Sequence, residues 1–169
     1  MFEDFKNAFQ RSNNGHVQLI IINLIIFGVF AGVWVIMQIS GFNEVFSTIH
    51  DQFQIPARFA EFVTRPWTLV TYMFMHDLTG ILHILFNMLV LYWFGRLFVE
   101  YLGSDKLIAL YLLGGIAGAV AYLLAYNSIP FFAAQAATHH IGMVGASASI
   151  DAIVVATAVL LPNYTFFLL

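Results

Sequence analysis

The sequence predicts an all-α membrane protein, a polytopic helical bundle of four complete transmembrane helices plus the start of a fifth. Three observations carry that prediction. Hydrophobic residues make up 61% of the 169-residue chain, while Asp, Glu, Lys and Arg together make up only 9%, against about 25% in a soluble domain. A single soluble core of this size cannot hide so much apolar surface. The apolar residues are also gathered into long runs, and about 20 residues of helix suffice to cross a bilayer.

The first run covers about residues 17–39 and is interrupted only by Asn23, with Trp34 toward its far end. Ser12-Asn13-Asn14-Gly15 precede it and are helix-capping residue types. Residues 1–16 form the tail ahead of the membrane domain, which takes residues 17–169. The run is too long for a signal-peptide core, and it follows Glu3 and Asp4 as well as Lys6 and Arg11, so it reads as a retained anchor.

Residues 40–80 interleave Phe46, Phe53, Phe59, Phe62 and Trp67 with Asp51, Arg58, Glu61, Arg65 and Asp77. Mixed apolar and charged residues without a spanning run predict an interfacial segment at the headgroup level. The second span covers about residues 81–99, and Gly103 followed by Ser104-Asp105 supplies a helix stop and the next cap. The third span covers about 107–126. Residues 127–141 read as a charge-free loop with Pro130 and the pair His139-His140. The fourth span covers about 144–161 and closes at Pro162-Asn163. Tyr164 to Leu169 begin another apolar run, too short to cross, so the chain reads as ending inside a fifth span.

Lysine and arginine set orientation. Lys6, Arg11, Arg96 and Lys106 lie on one side, and Arg58 and Arg65 on the other. This predicts a multi-pass protein of the cell membrane with a cytoplasmic N-terminus. Gly114 and Gly118 in the third span, and Ala148, Ala152 and Ala156 in the fourth, repeat a small residue every four positions. That spacing allows close helix packing where lipid supplies no hydrophobic drive.

Several chemistries are excluded. The chain has no cysteine, hence no disulfide or thiol nucleophile. Net charge is −3 and no basic run occurs, which argues against nucleic-acid binding. No cofactor or metal is implied. Polar groups inside the spans are functional candidates by default. His83 and Asn87 stand four residues apart on one helix face. Ser147, within Gly145-Ala146-Ser147-Ala148-Ser149, opens the fourth span. Hydrolysis of an amide needs a nucleophile, a base and donors aimed at the developing oxyanion, and here a hydroxyl and two donor groups are visible. Asp151 lies one helical turn past Ser147, where a carboxylate costs about 2.5–3.5 kcal/mol on insertion scales.

At these residues the chain resembles the rhomboid family of intramembrane serine proteases. The resemblance rests on Arg65-Pro66-Trp67, His83-Ile84-Leu85-Phe86-Asn87, Glu100-Tyr101-Leu102-Gly103-Ser104 and Gly145-Ala146-Ser147, in the family's order over about residues 65–161. It implies a six-helix core that cleaves transmembrane segments of other proteins. It also implies that Ser147 is the nucleophile and that His83, Asn87 and the Ser147 backbone N–H form the oxyanion hole. Ala148 stands where the family usually has glycine, and Trp67-Thr68 where it has Trp-Arg. The family's base is a histidine on the sixth span, and no histidine follows Ser147 here. Residues 1–169 alone are therefore expected to be inactive, with Asp151 a candidate to orient the absent histidine or else a bystander. The alternative function is a proteolytically inactive relative that binds membrane-protein clients. A transporter would need inverted repeats and broken helices, and neither is found.

Overall fold

The structure, a computed structural model, describes residues 13–165. Its helices are α1 (Gly15–Ile39), α2 (Asn43–Asp51), α3 (Phe59–Thr64), α4 (Thr68–Thr71), α5 (Ile81–Leu102), α6 (Ser104–Ser128), α7 (Pro130–Thr138) and α8 (Ser147–Leu160). A 3₁₀ turn at Tyr72–Phe74 continues α4, and two short strands, β1 (Ile55–Pro56) and β2 (Gly142–Met143), pair antiparallel.

Three of these helices, α1, α5 and α6, are long and apolar enough to cross a membrane. The expected fourth span is shorter than its sequence limits: α8 has 14 residues, about 21 Å at 1.5 Å per residue. It begins only at Ser147, because Gly145 turns the chain with φ +125° just before it. The start of the fifth span falls partly outside the described residues, and Tyr164 and Thr165 are not helical. The tail up to Ser12 likewise lies outside them, and α1 starts two residues earlier than the tail boundary implied.

Residues 127–141 depart from the expected loop. Most of them form α7, with Pro130 at its first position, where a missing N–H costs nothing, followed by alanine-rich sequence of high helix propensity. Proline and the absence of charge read as a loop because neither shows that this segment packs along α6.

The small-residue spacing does what it predicted. A Cβ on Gly118 would strike the Ala148 side chain, and one on Gly114 the Ala152 side chain. A Cβ on Gly115 would meet the Ser149 hydroxyl and Met73. Backbone of α6 therefore lies directly on α8. The methyl of Ala148 occupies the notch left by Gly118 and does not enter the space ahead of Ser147. At the opposite end, the Gly15 N–H donates to Ser104 Oγ at 2.9 Å, and Gly95 admits His16.

One polar junction crosses the centre. Tyr111 donates to the Met73 carbonyl at 2.9 Å and receives an N–H from Asn23 at 3.2 Å. Asn23, the one polar residue of the first apolar run away from its ends, also donates to the Leu19 carbonyl. Tyr72 similarly donates to the Gly115 carbonyl at 2.6 Å.

The segments linking α1 to α5 and α6 to α8 are stitched together on one side of the bundle. Ile55 pairs with Met143 and Pro56 with Gly142. The Ala57 N–H donates to Ile141, and the Asn127 side chain bridges Phe59 N–H and the Ala57 carbonyl. His140 meets Asp51 at 3.0 Å. The expected interfacial segment takes shape as α2 and its surroundings. Three side chains accept the task of satisfying carbonyls that the end of α2 leaves without helical partners. Arg65 donates to the Asp51 carbonyl, Trp67 to that of Gln52 and Thr71 to that of Phe53.

Candidate active site

Ser147 is the first residue of α8, so its N–H has no acceptor within the helix, and the positive end of the helix dipole sits there. The turn that brings it into place is anchored by the Gly145 N–H donating to the Tyr72 carbonyl at 3.0 Å. Gly145 needs its φ of +125°, which side-chain-bearing residues rarely adopt.

Space is open at this position, so the constraint on it is the backbone angle alone. A Cβ at Gly145 would lie 3.7 Å from His83 Nε2 and 3.8 Å from Ser147 Oγ. Thus the imidazole of α5 and the hydroxyl of α8 flank the same backbone position. His83 stands in the first turn of α5, and its backbone N–H donates to the Gly80 carbonyl at 2.8 Å. Asn87 sits one turn further along the same face. It is only 9% exposed, and its Nδ2 is buried with no hydrogen-bond partner. A buried donor left open costs about 1–3 kcal/mol.

Asp151 follows Ser147 by one turn and is exposed. It makes no ion pair among the described residues. Ser147, Asp151, Val155 and Val159 form an exposed stripe at four-residue spacing, while Ile150, Ile153 and Thr157 on the other side of α8 are buried. Ser149, two residues on, is fully buried, with its hydroxyl toward the Met73 sulfur.

His76, which precedes Asp77 in the segment between the first two spans, borders the site. Its ring meets that of His83 edge-on, with centroids 6.1 Å apart at 90°. It is 2% exposed, with both ring nitrogens buried. Burial lowers its pKa to about 4, so the ring is neutral near pH 7. Six residues separate it from His83, and they span a loop and a helix start. No periodicity in the sequence links the two. His139 and His140 point elsewhere: His139 pairs with the Thr138 hydroxyl, and His140 with Asp51.

Residues 63–168 match the family model described as Rhomboid domain, which is more than half of the chain. No curated protein and no solved structure matched.

Proposed function

The chain belongs to the rhomboid family, and from that premise we propose that it is an intramembrane serine endopeptidase acting on transmembrane segments of other membrane proteins. The observation that carries the reading is that His83 Nε2 and Ser147 Oγ both lie within 4 Å of the position a Cβ on Gly145 would take. On this reading Ser147 Oγ attacks the scissile carbonyl. The oxygen that gains charge is collected by the N–H of Ser147, the imidazole N–H of His83 and Nδ2 of Asn87. The vacant donor of Asn87 is then a group held ready for an acceptor that arrives with substrate. Donors fixed in place before charge develops are the largest single contribution to many hydrolytic rate enhancements.

The proton of Ser147 needs an acceptor. In Ser-His hydrolases, loss of the histidine lowers turnover on the order of a million-fold. On this reading the base would be a histidine brought against the exposed stripe of Ser147 and Asp151, which positions 141–169 do not supply. Asp151 would then orient that histidine and stabilise its charged form, or else stand by without a catalytic part. We take α8 as a fourth, short crossing whose N-terminus opens below the outer surface, with the N-terminal tail in the cytoplasm.

A fluorophosphonate probe on the full-length polypeptide tests the assignment. Labelling is expected in the wild type and lost in Ser147→Ala, whereas residues 1–169 alone show no cleavage. The second reading, an inactive client-binding relative, is favoured by the lack of any histidine after His140. Full-length protein that binds single-span clients but resists the probe would establish it.

A further inference from the structure

Beside the candidate active site lies a second concavity of about 460 Å³, enclosed by the far end of α1, by α2 and by residues 77–79. It runs to Val144, the residue before Gly145. Its chemistry is one-sided. Trp34 and Phe46 supply aromatic walls, Asp77 supplies a carboxylate, and no lysine or arginine lines it.

The carboxylate is held in a defined pose. Asp77 Oδ1 accepts both the N–H and the hydroxyl of Thr79, at 2.9 and 2.7 Å. These bonds lower its pKa and leave Oδ2 for a ligand. His50 adds a buried Nε2 without a partner. Burial holds its pKa below the ordinary value despite nearby Asp51 and Asp77, so near pH 7 it is an uncharged imidazole that does not repel a cation. A carboxylate beside aromatic faces is the arrangement that attracts an ammonium or guanidinium group.

We propose that this cavity is a substrate subsite that takes a lysine or arginine side chain flanking the outer end of the substrate's transmembrane segment. The inference rests on the protease reading, because it is continuity with the Val144–Ser147 turn that makes a substrate chain the occupant. A polypeptide whose scissile bond lies at Ser147 passes Val144 on leaving the site. A lysine or arginine beside a transmembrane segment extends its charged head toward the interface.

The test uses full-length protein carrying Ser147→Ala, in phosphatidylglycerol vesicles, with single-span peptides bearing Lys or Gln at each of the outer flanking positions in turn. At one position the Lys peptide is expected to bind about fivefold tighter, the range of a part-exposed ion pair with a cation–π contribution. Asp77→Asn keeps the Oδ1 acceptor for Thr79 and should bring the ratio near one. Asp77→Lys should reverse it in favour of the Gln peptide. No preference at any position, or a preference that survives Asp77→Asn, overturns the subsite. Loss of the preference in vesicles containing phosphatidylethanolamine would assign the cavity to the lipid ammonium group and also overturn it. Fluorophosphonate labelling of the protein with Ser147 intact is read separately. Labelling without a Lys preference sinks the subsite alone, and a Lys preference without labelling sinks the protease reading and leaves a site for a client's basic side chain, not a substrate subsite.

Discussion

Asn87 is the residue whose placement is hardest to explain by packing. Its amide nitrogen is buried and has no acceptor, a cost that a purely structural residue at this position would avoid. Asn87→Ala should lower turnover of the full-length protein on the order of 10²- to 10³-fold. Its unfolding midpoint in detergent should hardly move, because the donor removed had no partner. A midpoint that falls in parallel with the rate would show that Asn87 holds the fold instead. Gly145 makes the complementary argument. Gly145→Ala puts a methyl within 4 Å of both His83 Nε2 and Ser147 Oγ, in a backbone conformation costing roughly 1–3 kcal/mol. Probe labelling of Ser147 should drop steeply, and unchanged labelling would show that the turn relaxes elsewhere.

At the level of elements, the α6–α8 seam decides where Ser147 stands. Gly118 and Ala148 are complementary, one side supplying the notch and the other the methyl. Gly118→Ala should destabilise by about 1–3 kcal/mol through overpacking. Combining it with Ala148→Gly should recover most of that loss, a coupling that thermal unfolding of the two single variants and the double variant measures directly. Additive losses would mean that the two side chains do not share the space. The same pair accounts for the departure from glycine after the serine: the methyl is accommodated by α6 and stays out of the site. Arg65, Trp67 and Thr71 act on another element, closing the carbonyl end of α2 and so supporting the walls of the second cavity.

For the whole molecule, the buried histidines set an acid limit. His76 and His50 outside the membrane spans are held neutral in the folded state. Their folded pKa values lie below the unfolded one, so the unfolded chain binds more protons as pH falls. Stability is fully present above about pH 6.5 and declines toward the folded pKa of His76, about 4. The decline from His76 is on the order of 3 kcal/mol over that window. His76→Phe should flatten the profile, as read by unfolding in detergent at successive pH values. An equally steep profile in the variant would assign the acid limit to other groups.

Hydropathy and helical spacing are local properties, and they made much of this protein readable in advance. The membrane class, the three long helices, the shared face of His83 and Asn87 and the glycine–alanine seam each depend on residues within a few turns of one another. Other features arise between segments distant along the chain. These are the short α8 beginning at Ser147, the helical α7 where a loop was expected, the contact of His76 with His83 and the cavity between α1, α2 and Asp77. Each is set by how two connecting segments stack on one end of the bundle, through β1–β2 pairing and side chains that reach backbone carbonyls. Such contacts leave no period in the sequence, so only the packed chain reveals which polar groups become neighbours.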